Sequence, residues 1–222
     1  MCGRYSWSSY NKSVFSSLGL NKLVTFKPSF NRAPGQFHPT IKRSGNCAEW
    51  SDMCWGTPPN SSLKFPINAR SESAFQKAVF EQSISSQRCL IPADGFFEWQ
   101  VIETQKYPHF VHLPDSSIFA FGGIWKDFLI DQDLTSFFSI ITRSAPSNLL
   151  HLHHRAPLIV MEEHWKKWLS PSTPKSEVLK ILASQSRPFA FHQVDSRVNS
   201  SRNDDASLLK PEAGKQSTLF QS

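Results

Sequence analysis

The second residue of the chain has the most distinctive chemistry in the sequence. The chain opens Met1-Cys2-Gly3-Arg4, and methionine aminopeptidase removes an initiator methionine that precedes a residue as small as cysteine. Cys2 would then carry an α-amine with a pKa of about 7.7–8.0, so on the order of a tenth of it is neutral at pH 7. An aldehyde would form a Schiff base with this amine, and the adjacent thiol would add to the same carbon to close a five-membered thiazolidine. Taken alone, however, the opening residues better fit a cysteine that behaves as a small hydrophobe.

Two other segments supply groups that could move protons. Glu98 lies in the aromatic run Phe96-Phe97-Glu98-Trp99, where burial would raise its pKa toward neutrality. The local sequence alone slightly favours a surface carboxylate on an alternating strand. The segment His151-Leu152-His153-His154 supplies imidazoles, which exchange protons near neutral pH. These histidines have no acidic or thiol neighbour in the sequence, so we predict no metal site.

The amino-acid composition limits the classes of protein to which the chain can belong. The chain has 222 residues, of which 39% are hydrophobic, and a formal net charge of +6. This apolar content is sufficient for one sizeable core, and the positive charge favours a polyanionic partner. The four cysteines, at positions 2, 47, 54 and 89, form no C-x-x-C pair and are expected to be free thiols in a reducing compartment. No signal region opens the sequence and no apolar run is long enough to span a bilayer, so we expect a cytoplasmic protein without membrane contact.

Periodicity predicts the elements that must position these groups. We expect helices over residues 11–20, 73–83, Glu162–Leu169 and Ser176–Ala183. Runs of β-branched and aromatic residues predict strands at Cys89–Pro92, Phe96–Gln100, Pro108–Leu113, Ile118–Trp125, Phe137–Thr142 and Pro157–Met161. Strands flanked by helices indicate a single α+β domain. Beyond about residue 205 the composition becomes polar, so residues 206–222 are predicted to form a flexible tail.

An ordered series of motifs resembles the SRAP family (SOS-response-associated peptidase-like proteins). The series begins with Met1-Cys2-Gly3-Arg4-Tyr5 and continues through Asn31-x-Ala33-Pro34, Trp55-Gly56, Asn68-Ala69-Arg70-Ser71-Glu72, Arg88-Cys89-Leu90-Ile91-Pro92, Gly95-Phe96-Phe97-Glu98-Trp99, Gly122-Gly123-Ile124-Trp125, Ile140-Ile141-Thr142, His153-x-Arg155-x-Pro157 and Arg197-Val198-Asn199. The resemblance covers residues 2–205. It implies one domain with a twisted, barrel-like antiparallel β core and peripheral helices.

The resemblance also implies a function, which is covalent crosslinking to abasic sites in single-stranded DNA. The aldehyde of the opened deoxyribose would react with Cys2 to give the thiazolidine, and an AP-lyase side activity could accompany it. The family motifs assign Cys2 as the nucleophile and Asn68 as a group that holds the sugar and the N-terminus. They assign Glu98 as the acid and base, and His153 as a second group for proton transfer. No cofactor is implied.

Contacts with DNA are expected from residues in the same motifs. The candidates are Gly3, Arg4, Arg70, Thr142 and Arg155, with the arginines on phosphates flanking the lesion. Trp55 and Phe37 are candidates for stacking on exposed bases, although aromatic residues belong more often to a core.

The chain departs from the family pattern at two places. Residues 57–60 lack the second tryptophan that often follows Trp-Gly, which puts a preference for DNA junctions in doubt. Ala156 replaces a frequent methionine, so the packing around His153 and Arg155 is expected to be looser.

The segment Gln216-Ser217-Thr218-Leu219-Phe220 resembles the Q-x-x-L-F peptide that binds the bacterial β sliding clamp. An apolar tip on a mobile polar tail could dock in a groove without disturbing the fold. We therefore predict clamp binding through Gln216, Leu219 and Phe220, although so short a motif also arises by chance. We expect the protein to be a monomer.

Different functions remain open at this point. N-terminal-cysteine amidohydrolases also begin Met-Cys-Gly, and in them the thiol attacks an amide while the α-amine acts as base. The sequence lacks the glycine-rich Asn-Gly segments that hold glutamine in that family. A self-processing peptidase and a non-catalytic DNA-binding adaptor also fit the sequence.

Overall fold

A computed structural model describes residues 2–20, 24–57, 64–185 and 187–212 of the chain. The strands within these ranges are β1 (Tyr5–Trp7), β2 (Ser29–Arg32), β3 (Phe37–Ser44), β4 (Cys47–Trp55), β5 (Asn68–Arg70), β6 (Arg88–Ala93), β7 (Gly95–Ile102), β8 (Gln105–His112), β9 (Phe119–Ile130), β10 (Asp133–Ser144), β11 (Arg155–Pro157) and β12 (Ala190–Gln193). The α-helices are α1 (Ala78–Ser86), α2 (Trp165–Leu169) and α3 (Lys175–Ala183). None of the helices in these ranges has the length and apolar character needed to cross a membrane.

Five strands form a closed barrel. Hydrogen-bonded pairing runs from β10 to β4, β3, β6 and β9, and β9 pairs with β10 again to complete the ring. Closure leaves no unpaired strand edge in the ring and encloses side chains between its walls. The predicted barrel-like α+β fold is confirmed. Its pairing is antiparallel except where β10 runs parallel to β4 and to β5.

A second, antiparallel sheet lies against the barrel, with strand order β12-β8-β7-β1-β2. Its inner face and the barrel share one apolar core, which includes Tyr5, Phe96, Val111, Phe121 and Phe138. Because these side chains alternate along the strands, burying them fixes the register of β1 against β7. The N-terminal strand therefore occupies an interior position in this sheet.

The predicted helices differ from the observed ones near the N-terminus. Residues 11–20 form turns and a short 3-10 helix (Ser16–Leu18), which ends at Gly19 in a left-handed conformation with φ of 61°. The prediction of a helix there is wrong. Phe15, in a turn, and Leu18, in the 3-10 helix, bury their side chains without an α-helix. The helix predicted over 73–83 begins only at Ala78, after residues 71–77 form hydrogen-bonded turns.

Near the C-terminus the agreement is closer. The α3 helix matches the predicted Ser176–Ala183 and begins one residue earlier. The predicted helix Glu162–Leu169 divides into a 3-10 turn (Glu162–His164) followed by α2. Residues 206–209 form a further 3-10 turn, in which Leu208 is fully buried. The packed structure therefore extends past the predicted boundary at residue 205.

The predicted strand Pro157–Met161 is also wrong in its extent. The β11 strand ends at Pro157, and the next residues bond alternately to two other strands. Leu158 N–H donates to the Ile141 carbonyl on β10 at 2.8 Å, whereas Val160 N–H donates to the Ala120 carbonyl on β9 at 3.0 Å. A segment that bridges two strands in this way cannot continue a regular ladder with either.

Candidate active site

The site begins at Cys2, three residues before the start of β1. Its side chain is fully buried, and its Sγ lies 3.8 Å from the carbonyl oxygen of Arg4. Burial raises the pKa of the Cys2 thiol, and the nearby charge of Glu98 raises it further. The thiol is therefore protonated at neutral pH, so its addition to a carbon atom requires a base.

Asn68 holds the backbone of Cys2. Its Nδ2 donates a hydrogen bond of 2.8 Å to the Cys2 carbonyl oxygen. The position of Asn68 follows from the parallel pairing of β5 with β10, in which it lies opposite Ile140. Within the part of the chain that the structure describes, nothing donates to the buried Oδ1 of Asn68. This oxygen can accept a hydrogen bond from a hydroxyl or amine group of a bound substrate.

Glu98 lies on β7 with only 4% of its surface exposed. Tyr5 pairs with Phe96, and Phe97 N–H donates to the Arg4 carbonyl at 2.9 Å, so extending this register places Glu98 opposite Gly3. Burial raises the pKa of the Glu98 carboxyl to about 7, although a hydrogen bond with the Trp99 backbone partly offsets the effect. At neutral pH the carboxyl therefore exists in both protonation states and can act as acid and as base.

His153 lies between the 3-10 turn Ser147–Leu149 and β11, and it is half-buried. Its Nδ1 accepts a hydrogen bond of 2.9 Å from the backbone N–H of Arg155. Burial lowers the pKa of His153 to about 4, and the charges of His154 and Arg155 contribute to the effect. The imidazole is therefore neutral at pH 7, and because Nδ1 is an acceptor, the ring proton resides on Nε2.

Two of these groups share a cavity. Glu98 and His153 line a cavity of about 450 Å³ together with Trp99, Val101, Lys106 and Asn199. The Glu98 charge acts on Cys2, and Asn68 holds the Cys2 carbonyl, so all four predicted reactive residues belong to one site. No cluster of three or more metal-ligating side chains occurs in residues 2–20, 24–57, 64–185 or 187–212.

Arg4 binds other parts of the protein. Its Nη1 donates to Asn31 Oδ1 and to the Val198 carbonyl, both at 3.0 Å, and its Nη2 donates to the Asn199 carbonyl at 3.1 Å. The Asn31 Nδ2 also donates to the Val198 carbonyl, at 3.1 Å. These bonds tie β1 to the segment that carries Asn199, one wall of the cavity. Arg4 therefore has a structural role, and its predicted contact with phosphate stays a prediction.

Arg155 and Thr142 are also bonded within the protein. The full burial of Thr142 is contrary to its predicted contact with DNA, and the contact predicted for Arg155 stays a prediction. Arg155 is 8% exposed and forms a bidentate ion pair with Glu72, with N–O distances of 2.7 and 2.9 Å. It also donates a hydrogen bond of 2.6 Å to the Thr142 carbonyl. Thr142 is fully buried. The hydrogen bonds from Arg155 lower the pKa of Glu72. This network fixes the backbone whose N–H orients the His153 ring.

Trp55 is fully buried, which contradicts its predicted role as a stacking surface for bases. Its indole stacks on Phe138 with ring centroids 6.1 Å apart, and its Nε1 donates to the Ile67 carbonyl at 2.8 Å. Trp55 therefore holds the residue before Asn68. By contrast, Phe37 is 59% exposed and Arg70 is exposed, so both are accessible to a nucleic acid.

Sequence reasoning missed Glu72 and Asn31 as supports of the site, although both lie in motifs that it identified. The residue types in a motif do not distinguish a residue that contacts substrate from one that holds a reactive neighbour. The predicted clamp-binding residues Gln216, Leu219 and Phe220 lie outside the described residues, and that prediction stays untested.

The site combines a buried cysteine beside the N-terminus, a carboxyl with a raised pKa and a neutral imidazole. The chain that carries them belongs to the SRAP family, since the family model described as SOS response associated peptidase (SRAP) matches residues 1–201. The resemblance inferred from the motifs is confirmed.

Individual relatives extend over most of the chain. The abasic site processing protein YoaM of Bacillus subtilis (strain 168) is 30% identical over 224 residues, which cover 96% of this chain and 99% of that protein. The abasic site processing protein YedK of Escherichia coli (strain K12) is 27% identical, covering 95% of this chain and 100% of that protein. The abasic site processing protein HMCES of Gallus gallus is 27% identical, covering 84% of this chain and 67% of that protein.

Solved structures share the fold. A protein from Bacteroides thetaiotaomicron superposes with a TM-score of 0.80 at 24% identity, covering 95% of this chain and 100% of that one. A phage-related protein from Bordetella bronchiseptica has a TM-score of 0.72 at 26% identity, covering 88% of this chain and 95% of that one.

Proposed function

We propose that this protein processes abasic sites by forming a covalent crosslink between Cys2 and the deoxyribose of an abasic site in single-stranded DNA. The observation that carries the proposal is that Asn68 holds the Cys2 carbonyl while Glu98, whose charge acts on the Cys2 thiol, shares a cavity with His153. The names of the relatives, which are abasic site processing proteins, support the choice of substrate. The net charge of +6 suits a polyanion.

The reaction proceeds in two additions once Met1 has been removed. The α-amine of Cys2 attacks the aldehyde carbon of the opened sugar, and loss of one water gives the imine. The Cys2 sulfur then adds to the imine carbon, its proton leaves through a base, and the nitrogen gains a proton. The product is a thiazolidine, whose mass equals that of protein plus DNA less one water.

Glu98 supplies the proton transfers that these steps need. In its protonated form it can donate to the carbinolamine hydroxyl, which leaves as water. In its ionised form it can take the proton from the thiol, whose own pKa is too high for spontaneous ionisation. A pKa of about 7 makes both forms available at neutral pH.

His153 and Asn68 would act as neutral hydrogen-bonding groups. With Nδ1 occupied by the Arg155 N–H, His153 presents its proton on Nε2, which can be donated to a sugar oxygen as the ring opens. Asn68 offers the acceptor Oδ1 while its Nδ2 holds the Cys2 carbonyl. Neither group competes with Glu98 for a proton at pH 7.

The test is to mix purified protein with single-stranded DNA that carries one abasic site. We expect a band that is stable to denaturant without borohydride, and an intact mass that shows loss of Met1 and addition of DNA less one water. Cys2→Ser should leave only an imine that borohydride traps, and Cys2→Ala should abolish the thiazolidine. Absence of an adduct from protein that lacks Met1 would refute the proposal.

Two secondary activities are tested in the same samples. An imine acidifies the neighbouring C–H, so strand cleavage by β-elimination should appear in Cys2→Ser, where no thiol traps the imine. An amidohydrolase or peptidase would instead use the Cys2 thiol on an amide, and release of glutamate from glutamine or of a cleaved peptide would report it. The raised pKa of the thiol favours the crosslinking reaction, which begins at the amine, over attack of the thiol on an amide.

We also propose that residues 216–220 dock on the bacterial β sliding clamp. The support is the Gln216-x-x-Leu219-Phe220 pattern alone. Binding of a labelled clamp to the full chain, compared with a Leu219→Ala, Phe220→Ala double variant, is the measurement. Equal binding by both proteins would exclude this use of the tail.

A further inference from the structure

The cavity beside the reactive residues is larger than a sugar needs. Its volume of about 450 Å³ falls within the range of roughly 300–1,000 Å³ for pockets that bind whole small molecules. Glu98 and His153 account for its reactive part. The rest of the lining, which comprises Trp99, Val101, Lys106 and Asn199, has no role in the reaction proposed above.

This outer part combines apolar and cationic groups on one hairpin. Val101 lies directly opposite Lys106 in the β7–β8 register, and Trp99 lies two residues before Val101. Val101 is 59% exposed although its side chain is apolar. The Trp99 Nε1 donates to Asn199 Oδ1 at 2.8 Å, which fixes the indole at the cavity wall.

Lys106 provides a charge for a ligand at this place. Its side chain is exposed, and across the parts of the chain that the structure describes no carboxylate pairs with it. An ammonium on a flexible stem beside an apolar wall is suited to a phosphate that is attached to a sugar or base.

We propose that the Trp99, Val101 and Lys106 surface is a subsite for the nucleotide next to the abasic sugar. In it, Lys106 pairs with the phosphate that links the two, and Val101 with the exposed part of Trp99 packs against the neighbouring sugar or base. The proposal rests on the proposed function for the choice of ligand. It adds a site that holds the DNA strand in register with Cys2.

The test measures non-covalent binding, so its result does not depend on crosslinking. A single-stranded oligonucleotide with a tetrahydrofuran abasic analogue, which has no aldehyde, is titrated with wild type, Lys106→Gln and Lys106→Arg by fluorescence anisotropy across a series of salt concentrations. Lys166→Gln, on the exposed face of α2, is the matched control. Losing one phosphate contact should reduce the slope of log affinity against log salt by about 0.7.

A second set of oligonucleotides locates the contact. Each carries one uncharged methylphosphonate, either 5′ or 3′ to the analogue. One of them should weaken wild-type binding by about three- to fivefold, as expected for an exposed ion pair, and should not weaken Lys106→Gln further. Lys106→Arg should restore the sensitivity of binding to that methylphosphonate.

If both methylphosphonates weaken the binding of Lys106→Gln as much as that of wild type, the proposed subsite is wrong. This holds even if Lys106 contributes general positive charge to DNA binding. A protein that shows this coupling and yet forms no adduct with an authentic abasic site would have the subsite without the proposed chemistry. The two failures are therefore distinguishable.

Discussion

The Glu98 carboxyl should lower the stability of the folded protein as the pH rises, and Glu98→Gln should remove this effect. Burial raises the pKa of this group from its ordinary value of 4.5 to about 7. Between these pH values the folded state therefore binds more protons than the unfolded state. Stability falls with rising pH wherever the folded state holds the extra proton, so the loss begins near pH 4.5 and is complete above pH 7.

The size of the effect follows from the shift. Each tenfold change in proton affinity corresponds to about 1.4 kcal/mol, so moving the pKa from 4.5 to about 7 costs roughly 3 kcal/mol of stability once the group is ionised in both states. Because Glu98 is only 4% exposed, solvent screening reduces this figure little. For a chain of this length, the midpoint of thermal unfolding at pH 8 should rise by roughly 6–12 °C in Glu98→Gln.

The assay is urea unfolding of wild type and Glu98→Gln at several pH values from 4 to 8. The two free energies of unfolding should be similar near pH 4 and should diverge as the pH rises, with the variant more stable. Glu163→Gln, which changes an exposed carboxylate, is the control for general charge and should run parallel to wild type. Parallel profiles for wild type and Glu98→Gln would refute the assignment of a raised pKa to Glu98.

Three further substitutions test the supports of the site. Glu72→Ala leaves Arg155 buried without its carboxylate and should cost about 1–3 kcal/mol in urea unfolding; an unchanged stability would mean that water replaces the ion pair. Trp55→Phe removes the hydrogen bond to the Ile67 carbonyl and should cost about 1 kcal/mol, while the salt dependence of DNA binding stays as in wild type; a reduced salt slope would show that the indole serves the DNA interface after all. Gly95→Ala places a Cβ 2.9 Å from the Val111 carbonyl oxygen and in contact with the Phe110 ring, so overpacking should cost about 1–3 kcal/mol; a thermal midpoint equal to that of wild type would contradict the close packing of β7 on β8.

Four candidate reactive residues could be named from the sequence, because the motifs placed chemically suitable side chains in a known order; their roles stay a prediction. Their convergence could not be derived from local patterns. Cys2, Asn68 and Glu98 come from three separate segments of the chain, and only the pairing of β1 with β7 and of β5 with β10 brings them together. Strand alternation predicted β7 well but could not show that both of its faces are buried around Phe96 and Phe97.

Three of the predicted DNA contacts share one physical feature, since each side chain is bonded within the protein. Arg4 and Arg155 lie beside reactive residues in their motifs, whereas Trp55 lies in a motif without one. Membership of a motif fits a residue that touches the substrate or one that holds a reactive neighbour. Their hydrogen bonds go to Asn199, Ile67 and Glu72, so each of them positions a wall or a reactive group. Burial and hydrogen-bond partners distinguish the two roles, and neither quantity can be obtained from a motif.

The three titratable groups of the site are all shifted toward their neutral forms. The pKa of the Cys2 thiol is raised, that of Glu98 is raised to about 7, and that of His153 is lowered to about 4, and burial is the largest cause in each case. In a poorly solvated site, a step that creates separated charges is costly. In the proposed reaction a neutral thiol would add to an imine while Glu98 relays the proton, so little new charge would have to be stabilised. The burial that destabilises ionised Glu98 would therefore also suit the carboxyl to the proposed proton relay beside Cys2.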